Sequence, residues 1–128
     1  MRPMKILVVD DEPEARRLIR DALSRDGHVV LEAENGLEAV ASLDAEPVDA
    51  VFMDIRMSRG DGLTALERIR ALYPSLPVVM ITGCGRNDMI EEAIRLGAVA
   101  CLVKPFSMGD VVGMLDVLDA DSQRNASG

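Results

Sequence analysis

Five side chains that can bind a cation or a phosphoryl group follow short apolar runs of the sequence. Asp10 and Asp11 come directly after one such run, and Asp54 comes after another. Thr82 and Lys104 follow two further runs nearer the carboxyl terminus. Because an open parallel sheet places the carboxyl ends of its strands along one edge, where ligands bind, we expect these residues to converge there. The sequence therefore predicts one strongly acidic site that attracts a cation.

The predicted site has the ligand chemistry of a hard divalent cation. Two adjacent carboxylates and a third from another strand supply oxygen ligands of the kind that Mg²⁺ prefers. Two unit charges about 4 Å apart repel by about 4 kcal/mol at an effective dielectric constant near 20, so a metal or a lysine must offset three carboxylates. Lys104 supplies a flexible positive charge suited to an acid or a phosphate oxygen, and Thr82 supplies a hydroxyl.

The segments between these positions alternate between strand-like and helix-like patterns. Short apolar runs are followed by stretches whose apolar residues recur at helical spacing, which is typical of repeated βα units around a parallel sheet. Five such units are predicted. The predicted strands cover residues 5–9, 28–33, 50–53, 78–81 and 100–103, and the longer helices lie near 14–25, 63–72, 88–96 and 108–118.

Length and composition indicate one globular domain. A chain of 128 residues can bury a core without disulfides, and charges interrupt its apolar residues too often for a membrane span. The net charge of −8 opposes direct nucleic-acid binding and favours divalent cations or basic partner surfaces. No signal-peptide pattern follows the first residues, which predicts a cytoplasmic location. The two cysteines lack metal-ligand spacing and are given no redox role.

Each candidate residue also has a structural explanation when it is taken alone. Asp11, before Glu12 and Pro13, suits the N-cap of the following helix. Asp54 suits the polar end of a strand, and Lys104 suits a solvated strand end. The ordered set, with members at the ends of different predicted strands, is what favours a functional site.

Several short segments combine these residues with their neighbours in a specific order. They are Ile6-Leu7-Val8-Val9-Asp10-Asp11-Glu12-Pro13, Asp54-Ile55-Arg56-Met57 with Asp61-Gly62-Leu63, Ile81-Thr82-Gly83, Gly97-Ala98 and Lys104-Pro105-Phe106. Any one segment is a weak signal, but the whole order is highly specific. Together they resemble the receiver domain of bacterial response regulators in two-component signalling, over about Met4 to Leu118.

The resemblance implies a fold and a domain organisation. The fold would be a flavodoxin-like, doubly wound α/β structure like that of the chemotaxis receivers, with helices on both faces of a five-stranded parallel sheet. The implied strand order is 2-1-3-4-5, for which a receiver of this family is a standard example. The receiver domain would cover residues 1–118, and a flexible carboxyl-terminal tail or truncated linker would cover 119–128.

The resemblance also implies a reaction and a metal site. Asp54 would be the phosphoacceptor and would take a phosphoryl group from a phosphohistidine on a sensor histidine kinase or a histidine phosphotransfer protein. Mg²⁺, for which Mn²⁺ can substitute, would be bound by Asp10, Asp11, Asp54 and the backbone carbonyl of Arg56. The chain would be a signalling domain that assists its own phosphorylation and dephosphorylation, and not an enzyme.

The remaining site residues would bind phosphate or transmit the change, again by resemblance. Lys104 would pair with the phosphoryl group, Thr82 would move toward it, and the amide of Gly83 would donate to it. Pro105 would have a structural role. These movements would alter the surface built by the fourth helix, fifth strand and fifth helix, which would bind a downstream protein or a missing effector domain.

The sequence departs from the family pattern near the site. Leu102 stands where an aromatic switch residue is usual, so the aromatic switch is in question. Ser58 stands where a proline is common, which predicts a more mobile loop. Arg56 and Cys84, two residues after the acceptor and the threonine, are predicted to tune the lifetime of the phosphoryl group.

The predicted last helix is unusually apolar for a helix that is half exposed. Its apolar residues are Val111, Val112, Met114, Leu115, Val117 and Leu118. An apolar outer strip predicts a docking face or a homodimer face, and the alternative is that a missing carboxyl-terminal domain covers it.

Three other functions stay open at this point. A haloacid-dehalogenase-type phosphatase would use Asp10 with Glu12, but such an enzyme is usually longer and would leave Asp54 without a role. A flavin-binding module of the same fold would need a hydroxyl- and glycine-rich loop and aromatic residues, which make up only 2% of this chain. A receiver that binds partners without phosphorylation would keep the fold, although here every site position is filled.

Overall fold

The fold is known from a computed structural model that describes residues 3–57, 62–83 and 87–127, with side chains up to residue 120. Strands and helices alternate along the chain. The strands are β1 (Lys5–Val9), β2 (Val29–Ala33), β3 (Ala50–Asp54), β4 (Val78–Thr82) and β5 (Ala100–Val103). The helices are α1 (Pro13–Arg25), α2 (Gly36–Ala45), α3 (Gly62–Leu72), α4 (Asn87–Arg95) and α5 (Met108–Ser127).

The strands form one parallel sheet of five in the order β2-β1-β3-β4-β5. This order confirms the predicted flavodoxin-like α/β fold. Because all the strands run in one direction, their carboxyl ends lie along the same edge of the sheet. The predicted strand boundaries differ from the structure by a residue in two informative places, since Asp54 and Thr82 are the last residues of β3 and β4 rather than the residues after them.

The core has two layers, one on each face of the sheet. Alternate strand residues face opposite layers, so Phe52 packs with α1 and α5 while Met53 packs with α2, α3 and α4. The central strands β3 and β4 are buried along their whole length. Continuous apolar runs are what a parallel strand covered on both faces requires, and they explain why the sequence shows no alternation there.

Helix α1 begins differently from one of the sequence expectations. Its N-cap residue is Glu12, which makes no side-chain capping hydrogen bond, and Pro13 occupies the first turn. The interpretation of Asp11 as the N-cap is therefore wrong. The fixed φ angle of proline starts the helix without needing a backbone donor at that position. The helix ends before Gly27, whose φ of 90° lies in the region that favours glycine.

Helix α5 extends past its predicted end near Leu118 and continues to Ser127. The backbone of residues 119–127 is therefore helical and continuous with the rest of α5, where the sequence predicted a flexible tail or truncated linker. Neither proline nor glycine interrupts residues 119–127, so the sequence holds no signal that would stop the helix earlier. The division of the chain into a receiver unit and a separate carboxyl-terminal segment stays a prediction.

The apolar residues of α5 are mostly turned inward. Val111, Leu115 and Leu118 are buried against the sheet and α1, and Val117 is about one-third exposed. The predicted apolar outer strip is thus narrower than the sequence indicated. The two helices α1 and α5 share one face of the sheet. The contacts between them bury several of the apolar side chains that the sequence placed on an outer strip.

Two sequence expectations fall on residues outside the described ranges. They are the mobile loop at Ser58 and the tuning role of Cys84. Of the helices that the structure describes, none combines the length and the apolar character needed to cross a membrane.

Candidate functional site

The carboxyl edge of the sheet brings the predicted site residues together. Asp54 closes β3, Thr82 closes β4, Asp10 follows β1 and Lys104 follows β5. Backbone hydrogen bonds continue beyond the strand ends and fix these positions: the amide of Lys104 donates to the carbonyl of Thr82 at 2.8 Å, and the amide of Asp10 donates to the carbonyl of Ala33 at 3.1 Å. Residues that are far apart in sequence therefore meet on a rigid frame.

Asp54 lies at the centre of this edge. Its side chain is 7% exposed, and each oxygen has a donor. The backbone amide of Arg56 donates to Oδ1 at 2.9 Å, and Lys104 Nζ donates to Oδ2 at 2.8 Å. Hydrogen bonds to an ionised carboxylate are among the strong ones in proteins. The contact with Lys104 therefore holds the carboxylate in one orientation beneath the surface.

Asp10 is fully buried and only partly satisfied by hydrogen bonds. Its Oδ1 accepts from the backbone amide of Glu12 at 2.9 Å, whereas Oδ2 has no hydrogen-bond partner in the described part of the chain. A buried carboxylate oxygen without a donor is costly unless a cation or a proton offsets its charge. The site is thus built to receive positive charge at this atom.

The pKa values of the two buried acids, Asp10 and Asp54, are both raised. Burial raises the pKa of Asp10 to about 6; the amide of Glu12 opposes this rise, and the negative charge of Asp54 adds to it. Burial also raises the pKa of Asp54, against the lowering effect of Lys104, and the charge of Asp11 contributes to the rise. When Asp10 is protonated, its carboxyl group donates a hydrogen bond to the Asp54 carboxylate, and this hydrogen bond acts to lower the pKa of Asp54.

Lys104 stays charged in this setting. Burial acts to lower the pKa of Lys104, but the hydrogen bond and charge of Asp54 outweigh this effect, and the pKa is raised. Its Nζ also lies 4.0 Å from the carboxylate of Glu12. The lysine offsets part of the acidic charge and lowers the pKa values of Asp10 and Asp54, but burial outweighs this effect and both pKa values are raised.

An open cavity of about 310 Å³ adjoins these groups. It is lined by Glu12, Asp54, Ile55, Arg56, Thr82, Gly83, Met89 and Lys104. Three of these residues, Glu12, Ile55 and Met89, were not among the predicted site residues. Glu12 could have been predicted, because it directly follows Asp10 and Asp11 in the sequence. Met89 belongs to α4, and only the folded structure shows that it reaches the cavity. A larger cavity of about 540 Å³ lies between the α2–β3 and α3–β4 connections, away from this chemistry.

Thr82 and Gly83 lie at the wall of the cavity. Thr82 is buried, and its hydroxyl has the carbonyl of Gly83 as a distant partner at 3.5 Å, at the limit of a hydrogen bond. Gly83 is exposed, as is the side chain of Arg56. The hydroxyl can therefore turn toward a ligand in the cavity without losing a strong contact.

The other predicted positions lie at the base of the site. Leu102 is 4% exposed and pairs with Ile81 across β4 and β5, so it is a core residue on the α1 and α5 side of the sheet. The peptide bond between Lys104 and Pro105 is cis. Leu102 does not line the cavity, and its interpretation as a switch position that lacks an aromatic residue stays a prediction.

Gly62 has a role that the sequence pattern did not explain. Its amide donates to the carbonyl of Ile55 at 2.7 Å, which fastens the start of α3 to the end of β3. A Cβ atom at this position would lie 2.2 Å from the carbonyl oxygen of Asp54 and 2.8 Å from Ile55 Cα. Only glycine permits this approach of two backbones, and the position of Asp54 depends on it.

The acids fit a hard cation in chemistry, although they do not form a ready-made cluster. Across the ranges that the structure describes, histidine, cysteine and acidic side chains form no group of three arranged to hold a metal ion. The hydrogen bond from Lys104 occupies one oxygen of Asp54, while Oδ2 of Asp10 has no donor. The site thus offers what a hard cation such as Mg²⁺ requires: oxygen ligands, excess negative charge and a buried carboxylate oxygen that accepts no hydrogen bond.

Comparisons with known proteins agree with this geometry. Residues 6–116 match the family model of the response regulator receiver domain. The chain is 42% identical over 114 residues to the chemotaxis protein CheY of Listeria monocytogenes, covering 88% of this chain and 96% of that protein. It is 33% identical over 107 residues to the sporulation initiation phosphotransferase F of Bacillus subtilis, covering 84% and 86% of the two chains.

Solved structures give the same result. NtrX of Brucella abortus superposes with a TM-score of 0.94 at 35% identity, covering 98% of this chain and 29% of that one. The separate receiver domain of NtrX gives a TM-score of 0.85 at 38% identity and covers 89% and 98% of the two chains. The match to NtrX is thus to one part of a longer protein.

A parallel five-stranded sheet with acids, a threonine and a lysine at its carboxyl edge defines the class of receiver-like signalling domains. The chain belongs to the response regulator receiver family. It is a signalling domain of the kind found in two-component systems.

Proposed function

We propose that this receiver accepts a phosphoryl group on Asp54 in a Mg²⁺-dependent reaction. The observation that carries the proposal is the 2.8 Å hydrogen bond from Lys104 Nζ to Asp54 Oδ2 at the wall of a cavity of about 310 Å³. A carboxylate that is held in place beside an accessible cavity is positioned as a nucleophile. The side chain of Lys104 is flexible, so its ammonium group can move from the carboxylate to a phosphoryl oxygen when the phosphoryl group is transferred.

The transfer increases the negative charge at the acceptor, because the phosphoryl group brings the charge of its own oxygens. A carboxylate oxygen of Asp54 forms a bond to phosphorus as the bond between phosphorus and the imidazole nitrogen of the partner's phosphohistidine breaks, and the imidazole leaves with the electron pair. Lys104 then donates to a phosphoryl oxygen instead of the carboxylate. The amide of Arg56, which donates to Oδ1 at 2.9 Å, stays in place and keeps the acceptor oriented.

Asp10, Asp11, Asp54 and the backbone carbonyl of Arg56 would hold Mg²⁺. When bound, the cation neutralises developing negative charge on the transferring oxygens, and Mn²⁺ supplies the same chemistry. The unsatisfied Oδ2 of Asp10 and the raised pKa of Asp10 support a cation at this place. Below its pKa Asp10 would hold a proton instead, so protons compete with the metal.

Thr82 and Gly83 would sense the new group. The weakly bonded hydroxyl of Thr82 turns toward a phosphoryl oxygen, and the exposed backbone of Gly83 supplies an amide donor. Because residue 102 is a leucine packed in the core, it supplies no aromatic side chain for transmission. It runs through β4 and the segment after it to the surface of α4, β5 and α5.

The partners follow from this chemistry and stay proposals. The donor is a sensor histidine kinase or a histidine phosphotransfer protein, and the receiving partner is a downstream protein or an effector domain at the surface of α4, β5 and α5. A homodimer through the same surface is an alternative, and exposed Val103 and half-buried Val112 contribute to it. We place the protein in the cytoplasm, without direct contacts to nucleic acid or membrane.

Incubation with acetyl phosphate, with and without Mg²⁺, tests the proposal without a kinase. We expect one phosphoryl group per chain by intact mass spectrometry, dependent on Mg²⁺ and lost in Asp54→Asn. A receiver that works without phosphorylation would show no labelling under any condition. Continuous turnover of a generic phosphomonoester, with Asp10 rather than Asp54 required, would instead support a phosphatase.

A further inference from the structure

Arg16 connects the acidic site to the outer strand of the sheet. Its side chain is 15% exposed and lies between the site and β2. Nη1 donates to the backbone carbonyl of Asp10 at 2.7 Å, and Nε donates to Glu32 Oε1 at 2.9 Å. Glu32 belongs to β2, which is an edge strand. One planar guanidinium therefore joins the backbone of the site to a carboxylate on a neighbouring strand.

The contact from Arg16 completes the fixation of Asp10. The amide of Asp10 donates to the carbonyl of Ala33 at 3.1 Å, and its Oδ1 accepts from the amide of Glu12 at 2.9 Å. Arg16 holds the carbonyl of Asp10 as well, so the backbone at this residue is fixed. The fixed backbone in turn orients the remaining carboxylate oxygen, Oδ2. Asp10 is fully buried, so the loss of a charged donor at its carbonyl would be felt locally.

Arg16 acts on the site through geometry more than through charge. Its positive charge is paired with Glu32, whose Oε2 also accepts from Arg20 at 3.3 Å. Arg20 lies one helical turn after Arg16, so two arginines of α1 hold the same carboxylate. A lysine lacks the rigid fork that lets Arg16 donate in two directions at once.

We infer that Arg16 is a positioning residue for the cation site. By holding the peptide group between Asp10 and Asp11, it fixes the backbone from which both carboxylates project toward the cation. This inference rests on the proposed function, since the cation is Mg²⁺ bound by these acids. Residues that orient metal ligands from outside the ligand set typically contribute about 10-fold to 100-fold in metal affinity.

Titration of Mg²⁺ into the metal-free protein, followed by calorimetry, tests the inference. We expect Arg16→Met to weaken Mg²⁺ binding by about tenfold or more. Arg17→Met is the matched control, because Arg17 is an exposed neighbour on the same helix and its loss changes the net charge equally. Its affinity should stay within about twofold of wild type, since the distant charge is screened. Glu32→Gln should give a smaller loss than Arg16→Met.

A second readout works without metal. The amide of Glu12 donates to Asp10 Oδ1, so its hydrogen exchange reports how firmly Asp10 is held. We expect exchange on the order of tenfold faster in Arg16→Met than in Arg17→Met. A role of Arg16 in general stability alone would lower the melting temperature and leave both Mg²⁺ affinity and this local exchange unchanged.

The outcomes separate the two proposals. A folded Arg16→Met protein with wild-type Mg²⁺ affinity overturns the positioning role while leaving the proposed function intact. Failure of the wild-type protein to bind Mg²⁺ contradicts the proposed function, and this inference falls with it. If Arg16→Met does not fold, Arg16→Lys and Glu32→Gln decide: weaker binding in both supports the inference, and wild-type affinity in both overturns it.

Discussion

Lys104 Nζ lies 2.8 Å from Asp54 Oδ2, although the two residues are 50 positions apart in the chain. The sheet produces this contact, because β4 lies between β3 and β5, Asp54 is the last residue of β3 and Lys104 directly follows β5. The amide of Lys104 is itself bonded to the carbonyl of Thr82. A single charged pair thus joins the end of β3 to the end of β5 across the mouth of the site.

Replacement of Lys104 by methionine should raise the pKa of Asp54 further and slow its phosphorylation. The lysine lowers the pKa of Asp54 by a hydrogen bond and by its charge, and the variant loses both. We expect the labelling rate with acetyl phosphate to fall about 100-fold, the usual cost of removing one donor that stabilises developing charge. Carboxyl-carbon NMR titration would follow the pKa of Asp54.

Lys5→Met provides the control, since Lys5 is the other lysine of the chain and pairs with Glu46 at the opposite edge of the sheet. It should label at the wild-type rate. Equal rates for Lys104→Met and Lys5→Met would mean that Lys104 has no part in the reaction.

The stability of the metal-free protein should depend on pH through Asp10. The folded-state pKa of Asp10 is raised from 3.8 to about 6, so its contribution to stability is full below pH 4 and is lost as the pH rises to about 6. Asp10→Asn removes this loss and should be about 1 to 2 kcal/mol more stable than wild type at pH 7, a value discounted for solvent screening through the open cavity nearby. Urea unfolding at pH 4 and pH 7 measures the difference.

Added Mg²⁺ should reverse this order at pH 7, because the cation stabilises a protein that binds it and the asparagine variant has lost a ligand. A difference between the two proteins that is the same at pH 4 and pH 7 would contradict the assignment of the raised pKa to Asp10.

Gly62→Ala should destabilise the protein and displace the acceptor. The added Cβ would meet the backbone of Asp54 at 2.2 Å and that of Ile55 at 2.8 Å, and backbone cannot move aside as a flexible side chain can. We expect a loss of about 2 to 3 kcal/mol in the free energy of unfolding, together with slower labelling of Asp54.

Gly113→Ala is the opposite case, since nothing lies within 4 Å of its added Cβ and it is an exposed position in α5. This variant should gain about 0.5 to 1 kcal/mol from helix propensity. Similar stability changes for the two glycines would show that the close approach at Gly62 does not constrain the site.

Arg56→Ala should shorten the lifetime of the phosphoryl group. The exposed side chain of Arg56 lines the cavity beside Asp54, where it can shield the acyl phosphate from water. We expect dephosphorylation several-fold faster than in wild type, measured by loss of label after removal of the donor, with Arg17→Ala as an exposed control. Identical decay in all three proteins would remove the shielding role.

Sequence reasoning located the frame and the acidic residues because both depend on local pattern. Apolar runs such as the one before Asp10 identify the strands, and parallel order then brings their ends to one edge. The strand order and the proposed phosphoacceptor role of Asp54 follow from resemblance to a family and not from local pattern. The direct contact between Lys104 and Asp54 was not predictable in detail, because it depends on side-chain conformations that only the packed structure defines.

The missed features share a physical cause. Leu115 and Leu118 look like a surplus apolar strip in the sequence, but α1 and the sheet cover them, and helix packing cannot be read from one helix alone. The contact of Arg16 with the carbonyl of Asp10 involves a backbone atom, which leaves no mark in residue type. The need for glycine at position 62 likewise arises from the distance between two backbones.

The most direct test of the central claim is to locate the phosphoryl group chemically. Borohydride reduces an aspartyl phosphate to homoserine, so the protein should be treated with acetyl phosphate and Mg²⁺, reduced, digested and sequenced by mass spectrometry. We predict homoserine at position 54 and at no other aspartate, with none formed when Mg²⁺ is withheld. Homoserine at Asp10 or Asp11, or a fully unmodified Asp54 under these conditions, would contradict the account.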